Sequence, residues 1–511
     1  MTKSVDSRTL KSWLHQPDEI ALLDVREAGQ FGESHLLYGV PLPYSRLEID
    51  VGRLVPRLAT RIVLYDSGEE GIAALAARRL QVHGYTDVRI LEGGTNGWRS
   101  AGFQLFAGVN VPSKVFGEIV ENVLHTPRVA ADELHAMVAR GENLVIVDGR
   151  PYAEYQKMNI PGSICCPNGE LAIRIAAIAP DPNTRIVVNC AGRTRSIIGA
   201  ETLRRMGVPN PVYALENGTQ GWFLGGLQLE HQSNRKYPEA PQGPNIEPLV
   251  AHARQLATEM GIPLVETAEA ANWLADTTRT TYLFDVRTPE EFAAGSLPGA
   301  VHAPGGQLVQ ATDQWVGTRH ARILLADSEG VRAVPIAIWL RQMGFEACVL
   351  VEGVSAKLKA RLPLPPQLPE LPSISPQKLE GATLIDLRSS MAYRASHPVG
   401  AIWSIRPRVV AVVAAAGTTR VALIADDPMI ARAAALDLRE SGIQSVFLLQ
   451  GDLPVESTPE QPPNSECIDF LFFTHGRHEG NREAALQYLS WEKNLIGQLD
   501  EIERNTFQVS A

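Results

Sequence analysis

Cysteine is scarce in this chain, with only five among 511 residues. Five cysteines do not make a disulfide framework for a chain of this length, and a reducing compartment would keep them as free thiols. A cysteine that reacts here is therefore expected to act as a nucleophile. Aromatic residues are also few, at 6%, but 45% hydrophobic and 20% charged residues describe an ordinary globular protein.

Long hydrophobic runs and an excess of positive charge are also missing. No window approaches the ~18 consecutive apolar residues that span a membrane, and the first residues show no apolar signal-peptide core. The net charge of −10 argues against nucleic acid or an anionic membrane as the main partner. We therefore expect a cytoplasmic protein that binds neither, although a local basic pocket for a small anion stays compatible with this charge.

A fourfold repeat organises most of the chain. Four apolar runs each end in Asp, one residue, then Arg, and each is followed by a second short apolar run. The paired positions are Asp24 and Asp66, Asp148 and Cys190, Asp285 and Asp327, and Asp386 and Asp426. Their separations of 42, 42, 42 and 40 residues are too regular for chance.

The repeat predicts four compact α/β modules. Short, continuously apolar runs that alternate with helical stretches are typical of parallel strands covered by helices on both faces. A glycine closes the helical stretch in each copy, as suits a helix C-terminus. The predicted boundaries are 1–106 for module one, 107–127 for a connecting helix, 128–232 for module two, 233–259 for a linker, 260–361 for module three, 362–372 for a Pro-rich linker, 373–455 for module four, and 456–511 for a helical C-terminal extension.

Module two carries the sequence Cys190-Ala-Gly-Arg-Thr-Arg-Ser196 between a predicted strand and a predicted helix. Backbone N–H groups at such a junction, with the helix N-terminus, form a site for an anion. That environment also favours the thiolate form of a cysteine, and Arg193 and Arg195 are expected to add positive charge beside it. The predicted catalytic residue is Cys190, and the predicted substrate-binding residues are Ala191, Gly192, Arg193, Thr194, Arg195 and Ser196.

These motifs resemble the rhodanese family over about 1–455. The resemblance rests on the Asp-x-Arg strands, on the Cys190 loop, and on the turns Gly94-Thr-Asn-Gly-Trp98 and Gly218-Thr-Gln-Gly-Trp222. Family members commonly show Cys-x-x-Gly-x-Arg-Ser, which this loop matches except for Arg193 in place of Gly. The family's Gly-His-Ile-Pro-Gly-Ala is represented here by Met158-Asn-Ile-Pro-Gly-Ser163, with Asn159 in place of the family's His.

The resemblance implies a transfer of sulfane sulfur in two steps. A Cys190 thiolate would take the outer sulfur of thiosulfate or a related small anionic donor, and the persulfide would pass it to cyanide or a thiol. A protein or a low-molecular-weight thiol is compatible with the acceptor role. No cofactor and no metal are expected.

Asp148, Arg150 and Arg174 of module two are expected to support the loop. Asp148 and Arg150 are interpreted as an ion pair that ties the first strand to it, because modules without the cysteine keep the same pair. Glu170 and Arg174 follow the third strand and fit either the rim of the pocket or a solvated helix face.

The other three modules have an aspartate where module two has Cys190. A carboxylate cannot form a persulfide, and its charge would already occupy the anion site. Modules one, three and four, with Asp66, Asp327 and Asp426, are therefore predicted to be inactive in sulfur transfer.

Two other functions compete with sulfur transfer. A phosphatase or arsenate reductase on this fold needs Cys, five residues, then Arg, but here position 196 is Ser and the arginine comes one residue early. A scaffold or sulfur carrier, in which four modules bind proteins, is the other alternative.

Overall fold

Four five-stranded parallel sheets with one strand order make up the fold, which we describe from a computed structural model covering residues 3–363 and 365–510. When the strands of each sheet are counted along the chain, their order across the sheet is first, fifth, fourth, second and third in all four, and two further short strands form a separate antiparallel pair. This arrangement confirms the predicted fold class of tandem α/β modules.

The secondary-structure elements follow the repeat closely. Module one contains β1 (Lys3–Val5), α1 (Ser7–Trp13), β2 (Ile20–Asp24), α2 (Ala28–Glu33), β3 (Val40–Pro41), α3 (Leu47–Leu54), β4 (Arg61–Tyr65), α4 (Ile72–Val82), β5 (Asp87–Leu91) and α5 (Gly94–Ser100). The connecting helix is α6 (Val111–Leu124). Module two contains β6 (Arg128–Val129), α7 (Ala131–Ala139), β7 (Leu144–Asp148), α8 (Tyr152–Lys157), β8 (Ile164–Cys165), α9 (Asn168–Ile178), β9 (Arg185–Asn189), α10 (Thr194–Arg205), β10 (Val212–Leu215) and α11 (Gly218–Leu224).

The second half of the chain repeats this order with small changes. After α12 (Glu247–Glu259), module three contains β11 (Leu264–Val265), α13 (Thr267–Ala275), β12 (Thr281–Asp285), α14 (Pro289–Ala294), β13 (Val301–His302), α15 (Gly305–Gln310), β14 (Arg322–Ala326), α16 (Ala333–Gln342) and β15 (Glu346–Leu350). Module four contains β16 (Ser373–Ile374), β17 (Thr383–Asp386), α17 (Ser390–Ala395), β18 (His397–Pro398), β19 (Ile402–Trp403), α18 (Arg406–Ala415), β20 (Arg420–Ile424), α19 (Pro428–Glu440), β21 (Ser445–Leu449) and β22 (Val455–Glu456). The tail contains α20 (Arg482–Asn494) and α21 (Glu501–Arg504), whereas residues 457–481 lie in turns and extended segments.

The central strands are apolar because helices cover both faces of each sheet. In β9, Ile186, Val187 and Val188 have no exposed surface, and all five residues of β2 are buried. A parallel strand buried on both faces needs such a continuous apolar run. The helix after the key loop ends at a glycine with positive φ, such as Gly207 at 65° after α10.

The modules group into two compact units in a nested way. One unit takes up 1–16, 20–109 and 363–473, and so holds modules one and four. The other takes up 17–19, 110–362 and 474–511, and so holds modules two and three with α6, α12 and the tail. Modules one and four therefore belong to the same unit although they are far apart in sequence.

The strand order places the key loop at a favourable position in the module-two sheet. From β7 the chain runs outward to β8 on one side, then returns to β9 on the other side. In open parallel sheets, ligands bind at the carboxyl ends of strands where the direction of winding reverses. Asp148 ends β7 and Cys190 follows β9, so both lie at this end.

Within 3–363 and 365–510, no helix is both long and apolar enough to cross a bilayer.

Candidate active site

Cys190 lies between the end of β9 and the start of α10, and 2% of its surface is exposed. Two hydrogen bonds hold the loop from the other side. The N–H of Thr219 donates to the carbonyl of Cys190 at 2.9 Å, and the N–H of Gln220 donates to the carbonyl of Ala191 at 3.1 Å. These bonds explain why the Gly-Thr-x-Gly-Trp turn accompanies the cysteine loop in the sequence.

Gly218 permits the close approach of that turn. Its φ is +57°, and a Cβ at this position would lie 2.3 Å from the carbonyl oxygen of Cys190 and 2.8 Å from that of Gly192. A side chain would therefore push the turn away from the loop, and the positive φ also favours glycine.

The backbone N–H groups of residues 191–195, here called the amide cradle, are free to bind a ligand. No atom of the described residues accepts a hydrogen bond from them, whereas the next two amides, of Ser196 and Ile197, donate to the carbonyl of Arg193 at 3.1 and 3.2 Å. Unsatisfied donors at the N-terminus of a helix attract an anion. Ser196 strengthens the turn through its Oγ, which donates to the same carbonyl at 2.7 Å.

Arg195 is held beside this loop by a carboxylate. Its two terminal nitrogens bind both oxygens of Glu154 at 2.8 Å each. Burial acts against the guanidinium charge, but Glu154 and the nearby Cys190 outweigh burial and raise the pKa of Arg195 above its usual value. Burial likewise opposes the charge of Glu154, yet Arg195 keeps the pKa of that carboxyl below its usual value.

The Arg193 side chain is paired with carboxylates of α6 and does not serve as a free positive charge beside Cys190. Its guanidinium contacts Glu118 on α6 at 2.6 and 2.9 Å, and it also binds Glu121. Arg193 therefore does not add full positive charge beside Cys190 as expected, because Glu118 and Glu121 pair with it, whereas Arg195 lies close enough to Cys190 to interact with it. The amide cradle adds the partial positive charge of a helix N-terminus.

Asp148 and Arg150 fasten the two central strands at this end of the sheet. Arg150 binds both oxygens of Asp148 at 2.8 and 2.7 Å, and both side chains are buried. Asp148 also accepts from the side-chain amide of Asn189, the residue before Cys190, at 2.9 Å. The pair thus positions the strand that carries the cysteine.

A family model described as the rhodanese-like domain matches residues 6–101, 130–224 and 266–360, together more than half of the chain. The chain belongs to the rhodanese-like family. The fourth module lies outside these three matches, but its sheet has the same strand order as the other three.

A solved structure extends this likeness over the full length. The crystal structure of thiosulfate sulfurtransferase from Pseudomonas aeruginosa is 41% identical, with a TM-score of 0.91 over 99% of each chain. This match identifies the present rhodanese as an enzyme of the sulfurtransferase class.

Two curated proteins match shorter stretches. YrkF of Bacillus subtilis, described as a sulfur carrier protein, is 28% identical over 102 residues, which are 20% of this chain and 54% of its own length. The HTH-type transcriptional regulator Rv0324 of Mycobacterium tuberculosis is 33% identical over 112 residues, 21% of this chain and 48% of its own. The chain therefore spans about half the length of the curated relatives it matches.

Two rhodanese modules fill their own cradles with an aspartate. In module three, Asp327 accepts from the N–H groups of Gly330, Arg332 and Ala333 at 2.6, 2.8 and 3.1 Å. In module one, Asp66 accepts from the N–H groups of Gly68 and Ala73 at 2.7 and 2.9 Å. The amides three and five residues after the key position in module three, and the amide two residues after it in module one, are thus already bound, whereas their counterparts in module two stay free.

The tail adds residues to the site that no sequence motif indicated. Glu492 on α20 is fully buried and accepts from Oγ1 of Thr194 at 2.8 Å. A Cβ at Gly192 would lie 2.9 Å from the Tyr488 ring and 3.0 Å from Glu492. Lys114 on α6 binds both tail residues, lying 3.4 Å from Glu492. The tail therefore packs directly on the Cys190 loop.

Arg174 does not contact the Cys190 loop. Its guanidinium pairs with Glu170 at 2.9 Å, donates to the carbonyl of Pro238 at 2.7 Å and stacks on Tyr237. Glu170 in turn binds Arg332 of module three at 2.9 Å. These two residues join modules two and three, so the interpretation of Arg174 as a support of the loop is wrong.

The remaining thiols of module two are buried. Burial raises the pKa of Cys165 to about 12 and that of Cys166 well above its usual value, so both stay as thiols at neutral pH. The part of the chain that the structure describes contains no group of three or more His, Cys, Asp or Glu side chains arranged to hold a metal ion.

Proposed function

We propose that this rhodanese transfers sulfane sulfur from thiosulfate to a nucleophilic acceptor through a persulfide on Cys190. The observation that carries the proposal is the pairing of a reactive residue type with a free amide cradle. Among modules one to three, only module two combines a thiol with loop amides that have no acceptor in the described residues. The sulfur donor is taken from the name of the Pseudomonas aeruginosa structure.

The first step forms the persulfide. The Cys190 thiolate attacks the outer sulfur of thiosulfate, a new S–S bond forms, and the original S–S bond breaks. Sulfite leaves with the electron pair of that bond. The amide cradle stabilises the negative charge on the terminal persulfide sulfur, as an oxyanion hole stabilises a developing oxyanion.

The second step releases the sulfur. A cyanide ion or a thiolate attacks the terminal sulfur, the persulfide bond breaks, and its electron pair restores the Cys190 thiolate. The products are thiocyanate or a new persulfide of the acceptor. Because sulfite leaves before the acceptor binds, the reaction is expected to show ping-pong kinetics.

Binding of the doubly charged donor depends on the same amides and on Arg195. The substrate-binding groups proposed for this step are the amides of Ala191, Gly192, Arg193, Thr194 and Arg195 together with the Arg195 side chain. Ser196 holds the loop through its bonds to the Arg193 carbonyl, and the Arg193 side chain does so through Glu118. Asp148 and Arg150 are proposed as supporting residues, because they hold Asn189 and the strand that ends at Cys190.

The test uses intact mass spectrometry followed by a turnover assay. Wild-type protein mixed with thiosulfate is expected to gain one sulfur atom, and added cyanide should remove it as thiocyanate at a steady rate. Cys190→Ser should do neither, while Cys348→Ala, which removes another buried thiol from a strand of module three, should do both. Uptake of sulfur without formation of thiocyanate would mean that the protein is a sulfur carrier and not an enzyme. No uptake of sulfur would refute the proposal.

A further inference from the structure

A second cavity adjoins the Cys190 loop and is not explained by thiosulfate. It has a volume of about 480 Å³ and lies between α11, the residues after it, and the tail segment 477–480. We call it the tail cavity. Sites for organic small molecules measure about 300–1,000 Å³, whereas thiosulfate has only five heavy atoms. The tail cavity therefore has the size of a larger, organic ligand.

Gln220 connects the tail cavity to the reactive loop. Its backbone N–H holds the carbonyl of Ala191, while its side chain lines the cavity. Only 2% of Gln220 is exposed, and neither Oε1 nor Nε2 has a hydrogen-bond partner among the described residues. Leaving both ends of a buried amide unpaired is costly, because each has lost its hydrogen bonds to water without gaining another partner. Such a side chain indicates a ligand that both donates and accepts hydrogen bonds.

The tail supplies two more unpaired polar atoms. Nε of Arg477 and Nδ1 of His478 are buried and lack partners within the part of the chain described, and both residues line the cavity. Arg477 stacks on the Tyr488 ring at 4.7 Å, which holds its guanidinium in place. Burial, with Arg477 beside it, lowers the pKa of His478 to about 4, so this imidazole is neutral at pH 7. Arg477 is therefore the cationic group of the cavity.

The tail cavity has both polar and apolar walls, and hydrogen bonds and an ion pair hold the tail segment in place. Met158, Phe223, Leu227 and Leu229 provide apolar surface. The tail segment is tethered to module two on either side of Gly480. Glu479 pairs with Lys157 at 2.6 Å, and Arg482 donates to the carbonyl of Leu224 at 2.9 Å. The pairing with Lys157 also compensates the acidic charge of Glu479 at the rim.

We infer that the tail cavity binds the organic part of the sulfur acceptor, a low-molecular-weight thiol that carries an amide and a carboxylate. The carboxylate pairs with Arg477, the amide bonds to both ends of Gln220, and the aliphatic part lies on the apolar wall. The thiol is thereby directed towards Cys190, whose loop is bonded to the α11 turn. This inference rests on the proposed function, since it names the acceptor class for the same persulfide.

The chemistry at the sulfur follows the second step above. The acceptor thiolate attacks the terminal sulfur of the Cys190 persulfide, a new S–S bond forms on the acceptor, and Cys190 leaves as thiolate. No further oxidant or reductant is needed, because one S–S bond replaces another. The residues of the cavity take no part in bond making; they determine which thiol is bound.

Equilibrium binding of an unreactive analogue tests the inference independently of turnover. S-methylglutathione, which has the carboxylates and amides but no free thiol, is titrated into the full chain by calorimetry. Wild type is expected to bind it, and Arg477→Gln and Gln220→Leu are each expected to weaken binding about tenfold or more, since each loses hydrogen bonds to a buried partner. Arg504→Gln, an exposed arginine on the same tail, is the matched control and should bind as wild type does.

A kinetic experiment adds a second readout. With glutathione as acceptor, the two cavity variants should raise KM for glutathione much more than they lower kcat, whereas a merely structural role would change the midpoint of urea unfolding instead. No binding of S-methylglutathione by wild type, or equal binding by wild type and Arg477→Gln, would overturn the inference. Failure of the proposed function is seen separately, as an absence of sulfur uptake at Cys190.

Discussion

The loops of modules two and three show how one backbone frame can serve either chemistry or packing. Both loops follow the middle strand of their sheet, β9 in module two and β14 in module three, and lead into a helix. In module three the carboxylate of Asp327 accepts three hydrogen bonds from its own loop. In module two, where Cys190 takes the place of Asp327, two of the corresponding amides, those of Arg193 and Arg195, have no acceptor in the described residues. The aspartate turns a ligand site into a closed structural turn.

The arginines that follow the two key positions by five residues differ in the same sense. Arg195 has 13% of its side chain exposed and is bound by Glu154 beside the reactive loop. Arg332 is fully buried and is bound by Glu170, Glu291 and Glu329. The first arginine can still reach an anionic ligand, whereas the second is committed to the interface between modules two and three.

Converting the module-two loop to the module-three type should have the largest effect. Cys190→Asp is expected to abolish both turnover and binding of thiosulfate, because the new carboxylate takes up the amide cradle. Cys190→Ser should abolish turnover, by at least about a thousandfold, but still bind the anion. Calorimetric titration with thiosulfate separates the two variants, and equal anion binding by both would break the comparison.

Substitution of Arg195 should mainly affect catalysis, whereas substitution of Arg193 should mainly affect stability. Arg195→Gln is expected to lower kcat/KM for thiosulfate about a hundredfold, as loss of one anion-binding group does. Arg193→Gln should lower it much less but cost about 3–5 kcal/mol of stability, because Glu118 would be left buried and unpaired. Steady-state kinetics and urea unfolding of the two variants, measured side by side, give the answer. The reverse pattern would restore Arg193 as the residue that binds the anion.

Truncating the key residue should cost more stability in module three than in module two. Asp327→Ala removes the acceptor of three amides and is expected to destabilise the protein by about 2–4 kcal/mol. Cys190→Ala should cost about 1 kcal/mol, since only a small apolar contact is lost. The shift in the urea midpoint measures both. A larger loss for Cys190→Ala would mean that its loop is structural after all.

The smallest expected effect concerns pH. The folded-state pKa of Glu154 is below its ordinary 4.5, so its pairing with Arg195 stabilises the protein above that pH. This contribution is lost as the pH falls below 4.5 through the folded-state value. Glu154→Gln should therefore reduce stability by less than about 1 kcal/mol at pH 7, because the carboxylate is partly exposed, and the difference from wild type should shrink towards pH 3. A difference that grows on acidification would contradict this.

The repeat and the reactive loop could be predicted because their signals are local. The equal spacing of Asp148 and Cys190 with that of their counterparts predicts four α/β modules with parallel sheets, and the structure has four such sheets. The aspartate in the other loops predicts an occupied anion site. In the structure, the Asp327 carboxylate accepts hydrogen bonds from the backbone amides of its own loop.

The partners of the loop could not be predicted because they are distant in sequence. Thr194 and Glu492 are 298 residues apart, and nothing in the pattern of α20 distinguishes a contact with the loop from a solvated face. Arg193 was expected to face the thiol, since Glu118 carries no motif that marks it as a partner. Arg174 and Glu170 were ambiguous for the same reason, as their partner Arg332 belongs to another module.

The nested grouping of the modules determines when the first one can be completed during synthesis. Glu48 of module one and Arg406 of module four are both fully buried, pair at 2.8 Å and are 358 residues apart. At about 5–20 residues per second, a ribosome needs roughly 20–70 s to supply that partner. Module one therefore waits without the guanidinium that binds Glu48 at its future interface, while modules two and three are made and can fold. The first part of this chain to be translated is among the last to reach its native contacts.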